Sequence, residues 1–305
     1  MVSIPIIWHP DYLLHKTGYG HPERPERCVA ICNALQEEGL LNLVAPRLAL
    51  RKELELCHKS SYIDLVKVET AEGRSQLSTG DVTICPDSWH AALLAAGGVI
   101  TGIEIVMNGE SNAAFCLVRP PGHHANASVG MGFCLFNNVA IATRYAQQQY
   151  EVKRILIVDW DVHHGNGTQD IFENDPSVFY FSTHQSPLYP FTGLQSHDNI
   201  LNCPIAADKD SRNKVLEAFQ DQLVPAMQTF KPQLVLISAG FDAHQGDPLG
   251  ALGLTDTDFI HLTNIVKEIA CEHAGGRIVS VLEGGYSLQA LASAVPKHVR
   301  ALNHT

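Results

Sequence analysis

What is scarce in this sequence narrows its function before any motif is read. Basic residues are few: 21 Lys and Arg stand against 32 Asp and Glu, a net charge of −11 at pH 7. Gripping a nucleic-acid backbone needs the opposite balance, so no DNA or RNA partner is expected. No apolar run reaches the ~18 uninterrupted residues that mark a bilayer-spanning helix. Met1-Val2-Ser3-Ile4-Pro5 lacks the basic start and apolar stretch of a secretory signal, so no membrane partner is expected either. The eight cysteines form no Cys-x-x-Cys pair and no disulfide framework. Cys116, Cys134, Cys203 and Cys271 sit in apolar or glycine-rich surroundings and read as buried free thiols in a reducing, cytoplasmic setting. No Pro/Ser-rich linker, low-complexity tract, charge block or repeat divides the chain, so residues 1–305 are read as a single domain.

What is present is a series of continuously apolar runs alternating with helical stretches. Expected strands cover residues 4–8, 113–118, 154–158, 178–183, 234–238 and 278–282, with a short extended piece at 200–203. Expected helices run from the prolines after His21 to about 38, then 89–107 (capped by Asp87 or Ser88), 137–149, 168–173, 210–229, 256–273 and 287–302. Strands that are apolar throughout, rather than alternating, are covered by helices on both faces. The fold class is therefore α/β, a doubly wound and mostly parallel central sheet with helices on both sides.

Polar residues follow these strands directly. Val158 leads into Asp159-Trp160-Asp161-Val162-His163-His164, Val118 into Arg119-Pro120-Pro121-Gly122-His123-His124, Ile237 into Ser238-Ala239-Gly240-Phe241-Asp242, and Leu282 into Glu283-Gly284-Gly285-Tyr286. In an open α/β sheet, sites form beyond the carboxyl ends of the strands, so these groups are expected to converge. Asp161-x-His163 with Asp242 offers zinc two carboxylates and an imidazole, leaving a position open for water. A lone Asp-x-His is more often an ordinary polar loop. Paired histidines such as His123 and His124 suit proton transfer near neutral pH, yet paired histidines are usually packing or surface residues. Tyr286, after two glycines, can donate to a developing oxyanion, or simply cap the core edge. Asp159, Ser182 and Thr183 offer oxygens for local hydrogen bonds or for a hard monovalent cation.

Taken together, H-P-E-R-P-E-R (21–27), R-P-P-G-H-H (119–124), G-F-C-x-F-N-N (132–138), D-W-D-V-H-H-G-N-G-T-Q (159–169), G-F-D-A-H-x-G-D-P-L-G (240–250) and E-G-G-Y (283–286) resemble the zinc-dependent histone deacetylase superfamily. The variants around 165–167 and 283–286 look like its class II and bacterial amidohydrolase branch. The resemblance covers nearly the whole chain. It implies an arginase/deacetylase-like fold and hydrolysis of an N-acyl amide, typically acetyl-lysine in a peptide or protein. It assigns Asp161, His163 and Asp242 to zinc, His124 to general base and then acid, and His123 to an electrostatic partner oriented by Asp159. Asn166 becomes the partner of His124, and Tyr286 completes carbonyl polarisation. Potassium is implied twice: at Asp159, Asp161, His163, Ser182 and Thr183, and at Phe172, Asp175, Val178 and Asn199. Phe133 and Tyr189 match the tunnel walls, Gly132 and Leu249 its floor and rim, and Asp81 a rim carboxylate.

Four positions depart from the pattern of the family. Asn166 stands where class I enzymes carry Asp, and a neutral partner leaves His124 less basic. Tyr189 replaces a tunnel Phe, Phe191 stands where Gly is common, and Leu249 stands where polyamine-selective relatives carry Glu. The alternatives to a lysine deacylase are a hydrolase of acetylpolyamines or other small acyl amines, a catalytically silent acyl-lysine binder, and an arginase-like dimanganese enzyme. Tyr286 and a complete ligand set speak against the silent binder. The His123-His124 pattern, where further metal ligands would be needed, speaks against the dimanganese enzyme.

Overall fold

The computed structural model describes residues 3–303. Its eight strands are β1 (Ile6–Ile7), β2 (Leu43–Val44), β3 (Ala113–Cys116), β4 (Ile155–Asp159), β5 (Val178–Gln185), β6 (Ile200–Ile205), β7 (Leu234–Ala239) and β8 (Ile278–Leu282). They form one sheet in the order β2-β1-β3-β8-β7-β4-β5-β6. Every pairing is parallel rather than mostly parallel.

The apolar strands divide their side chains between two cores, as a period of two requires. Phe115, Leu156, Val158, Val235 and Ile237 enter one core, together with residues of α1 (Glu26–Glu37), α9 (Asp256–His273) and α10 (Leu288–Asn303). Ala114, Cys116, Ile155, Ile157, Leu234 and Leu236 enter the other, with α4 (Ser88–Met107) and α5 (Asn138–Tyr150). By length and composition α4 could cross a bilayer, but most of it is buried inside this fold, Val99 and Ile103 completely. Helices α2 (Arg51–Leu54), α3 (Ser60–Ala71) and α6 (Asn166–Phe172) also precede β5 in the chain.

Several boundaries differ from those expected, for identifiable reasons. Helix α1 begins at Glu26, because Pro22 and Pro25 bias the residues before them towards extended backbone. The continuous helix expected over 210–229 is interrupted: α7 (Ser211–Glu217) widens into a π-helical turn at Ala218–Leu223 before α8 (Val224–Phe230). Pro225 lacks the N–H that would continue the α ladder and crowds the preceding turn. The extended piece at 200–203 is a full edge strand, and β2, α2 and α3 carry too little periodic signal to be read from the sequence. Cys271 lies exposed on α9, not buried as expected, because its helical position faces away from the core.

Candidate active site

The sheet order puts β3, β8, β7 and β4 side by side, so the loops after them are neighbours although the chain visits them far apart. Register makes the strand tops level: Asp159 pairs with Ser182 on one side and Ser238 on the other, and Ser238 pairs with Val281. The loops at 119–124, 283–286, 240–242 and 159–164 therefore meet at one end of the sheet.

Asp161, His163 and Asp242 each offer a ligand atom, and these lie within 4.8 Å of one another. His163 Nδ1 sits 3.0 Å from Asp161 Oδ1 and 3.2 Å from Asp242 Oδ2. Both carboxylates are fully buried. The ion pairs reaching them come from His123 and His163, with no Lys or Arg among them. Burial, followed by the charge of Asp161, raises the Asp242 carboxyl above the ordinary carboxylate range. Two buried carboxylates beside one imidazole form a set that a divalent cation fits, and oxygen with nitrogen is the donor chemistry of zinc.

The His123 and His124 rings lie 4.0 Å apart between centroids with their planes tilted by 42°, and different partners make them different. His123 Nδ1 donates to Asp159 Oδ2 at 3.0 Å. Burial opposes a charge on that ring, but Asp159 and Asp161 outweigh it and raise its pKa to about 10. His124 Nδ1 lies 2.8 Å from Asn166 Oδ1, an acceptor, so Nδ1 carries the proton and Nε2 keeps its lone pair. Burial, then the neighbouring His123 and His163, hold His124 well below the ordinary histidine value. The partners thus favour the charged form of His123 and the neutral, accepting form of His124.

A pocket of ≈ 290 Å³ opens onto these groups, lined by Asp81, His124, Gly132, Phe133, His163, Leu188, Tyr189, Leu249 and Tyr286. Phe133 meets the Tyr286 ring edge-on at 6.0 Å, and Tyr189 meets His124 edge-on at 5.3 Å. Phe133 has φ of 69°, a conformation that costs energy for a bulky residue and clusters at functional sites. Gly132 precedes it, and a Cβ there would lie 2.3 Å from His124 Cδ2. Its amide donates to Asp81 Oδ1 at 2.8 Å, which holds Asp81 at the pocket lining. The Tyr189 hydroxyl, absent from the usual tunnel wall, lies close to Asp81, and burial with that charge raises its pKa.

The two sets of residues expected at potassium differ in geometry. In the first, Ser182 Oγ bonds His184 Nδ1 at 2.9 Å, and Asp159 Oδ1 accepts from Asp161 N at 3.1 Å; Thr183 is buried beside them. In the second, the carbonyls of Phe172, Asp175 and Val178 converge on Asn199 Nδ2 at 2.9, 3.0 and 2.7 Å.

Some functional neighbours escaped the sequence. Glu283, read only as the start of a turn, is fully buried, and its carboxylate accepts from the amides of Gly122 (2.7 Å) and His123 (3.2 Å) and from Ser238 Oγ (3.1 Å). It therefore holds the loop that carries both histidines. Arg27 and Arg119, with Glu23, form a buried ionic cluster behind Tyr286. The i,i+4 spacing of Glu23 and Arg27 was the available signal.

The histone deacetylase domain model matches residues 21–302. A probable deacetylase of Archaeoglobus fulgidus is 37% identical over 93% of this chain and 81% of its own length. Mouse polyamine deacetylase HDAC10 is 39% identical over 97% of this chain, which spans 48% of that longer protein. The crystal structure of the HDA15 HD domain superposes with a TM-score of 0.90 at 34% identity, covering 98% of this chain and 90% of the other. Its all-parallel sheet, the buried site beyond the strand ends and these relatives agree: the chain belongs to the histone deacetylase family, hydrolytic deacetylases for which zinc is typical.

Proposed function

We propose that this deacetylase removes an acetyl or other acyl group from a lysine side chain of a peptide or protein. The observation that carries the reading is the pocket itself. Aromatic walls, Phe133 and Tyr189, suit a methylene stem, and His124, His163 and Tyr286 line the same pocket.

Asp161, His163 and Asp242 are the residues that would hold zinc. When bound, zinc supplies a Lewis acid that polarises the amide carbonyl and lowers the pKa of water towards ~7. His124 Nε2, left with its lone pair by the bond to Asn166, takes a proton from the attacking water and returns one to the leaving amine. The His123 cation, oriented by Asp159, offsets the negative charge that develops nearby. Tyr286 donates its hydroxyl to the carbonyl oxygen as the tetrahedral centre forms. Burial raises its pKa far above the ordinary phenol value, so it stays protonated and able to donate. Phe133, Leu188 and Leu249 exclude water around the stem, and Asp81 at the rim faces the substrate main chain.

Potassium is proposed for the Asn199 set. The support for it is the family resemblance together with the convergence of the Phe172, Asp175 and Val178 carbonyls on one point, which Asn199 Nδ2 occupies in this structure. For Asp159, Asp161, His163, Ser182 and Thr183 the same ion remains a proposal from family resemblance.

A small acyl amine is the second reading, favoured by the likeness to a polyamine deacetylase. Against it stands Leu249, partly exposed at the mouth where an acidic residue would draw an amine. Purified, zinc-loaded protein assayed on acetyl-lysine peptide, longer acyl-lysine peptides and acetylated polyamines, with and without chelator, separates the two. Chelator-sensitive cleavage of the peptides is expected. Cleavage of polyamines alone transfers the activity to small amines, and no cleavage of either class contradicts both readings.

A further inference from the structure

The turn that carries Tyr286 is held from outside on every side. Arg27 Nη2 donates to Glu283 O at 2.5 Å, and Arg27 Nε donates to Gly285 O at 2.6 Å. Phe241 N donates to Gly284 O at 3.0 Å, and Gly284 N donates to Asp161 Oδ2 at 2.8 Å. The amides of Tyr286 and Ser287 both donate to one oxygen, Asp247 Oδ2, at 2.6 and 3.1 Å. The other oxygen of that carboxylate, Oδ1, accepts from Leu249 N at 3.0 Å.

Asp247 is only 8% exposed, and its backbone amide is anchored to His244 O at 2.9 Å. Burying a carboxylate is costly unless donors converge on it, and here three amides from two segments do so. Local sterics do not set the direction of Tyr286. The residue before it is Gly285, at φ of 116°, a conformation without side-chain restraint. The tyrosine backbone takes its position from the groups that grip it.

We infer that Asp247 is a positioning residue for the deacetylase reaction: its carboxylate fixes the backbone of Tyr286 and ties it to Leu249 at the pocket mouth. The phenol and the mouth are thereby held as one unit. This rests on the proposed role of Tyr286, and the test keeps the two apart.

The test measures kcat, KM, zinc content and thermal unfolding for Asp247→Ala and Asp247→Asn, each alone and combined with Tyr286→Phe, on an acetyl-lysine peptide. Misplacing a reacting group by about 1 Å can cost on the order of a hundredfold, so Asp247→Ala is expected to lower kcat by about tenfold to a hundredfold with zinc content unchanged. In the Tyr286→Phe background it should lower kcat no further, because coupled residues are non-additive. A near-normal kcat for Tyr286→Phe overturns the role of the tyrosine, and with it this inference. A slow Tyr286→Phe with Asp247→Ala at full rate, or with equal falls in both backgrounds, overturns the inference alone. If Asp247→Ala gives no folded protein, the near-isosteric Asp247→Asn decides. Its weaker or misdirected acceptor should cost kcat several-fold with Tyr286 present and nothing without it. Equal falls, or none, overturn the inference.

Discussion

The glycines before Tyr286 join two buried ionic clusters that solve their charge in opposite ways. On one side, Glu23 is flanked by Arg119, at 2.6 Å, and Arg27, at 3.2 Å. The surplus positive charge is spread over carbonyls: Arg119 Nη1 donates to Tyr12 O and His15 O, and Arg27 to Glu283 O and Gly285 O. On the other side, Asp161 and Asp242 share one imidazole, with Asp159 and Glu283 buried nearby. Burial raises the pKa of both kinds of carboxyl. For Glu23 the two guanidinium groups outweigh it and bring the value down to about 2. For Asp161 and Asp242 no guanidinium stands opposite: burial and the charge of Asp161 raise the Asp242 carboxyl, while only imidazoles, His123 and His163, hold Asp161 down. The first cluster is complete as protein alone, and the second is the one whose chemistry a divalent metal completes.

The comparison breaks most visibly at Asp242. Asp242→Asn should remove zinc binding and lower amide hydrolysis by on the order of a thousandfold or more, since the metal supplies several kcal/mol of the barrier reduction. In the chelated protein, relief of the Asp161 repulsion and loss of the His163 ion pair oppose each other, so the unfolding temperature should move by far less than in Glu23→Gln; an equal fall would contradict the comparison. Glu23→Gln should do the reverse. Removing one partner of a buried pair typically costs about 3–5 kcal/mol, so denaturant unfolding should shift to a much lower midpoint while the folded fraction keeps its zinc. Tyr286→Phe should act on neither cluster: turnover falls by about a hundredfold to a thousandfold, read as kcat, with zinc content and stability intact.

A smaller effect concerns acid stability. Glu23 has its pKa lowered from 4.5 to about 2 in the folded protein. The unfolded chain therefore takes up its proton first. The stability this carboxylate contributes is fully present above pH ~4.5 and is lost as the pH falls towards ~2. Part of the acid limb of an unfolding-versus-pH curve should vanish in Glu23→Gln; an unchanged limb would show that other carboxylates carry it.

The sequence reached far because the reactive residues lie at or just beyond strand ends, where apolar runs stop abruptly at Asp159, Ser238 and Glu283. That pattern is local, and local patterns survive in one dimension. The parallel sheet was legible for the same reason, since strands covered on both faces stay apolar throughout. What remained hidden depends on main-chain groups meeting across the fold. The hold of Glu283 on Gly122 and His123, and of Asp247 on Tyr286, involves backbone amides that look alike in any sequence. The break at Ala218–Leu223 depended on how one proline is absorbed, and the exposure of Cys271 on which way a helix is turned. The region of β2, α2 and α3 escaped because β2 and α2 are short and α3 is weakly periodic.

The most direct measurement is the zinc stoichiometry of the wild-type chain, Asp242→Asn and the folded fraction of Glu23→Gln after dialysis against chelator and reloading, with amide hydrolysis followed on the same samples. The wild type and Glu23→Gln should bind one zinc per chain and hydrolyse the acetyl-lysine peptide, and Asp242→Asn should do neither. Stoichiometric zinc and full turnover in Asp242→Asn would contradict the assignment of the uncompensated cluster as the metal centre.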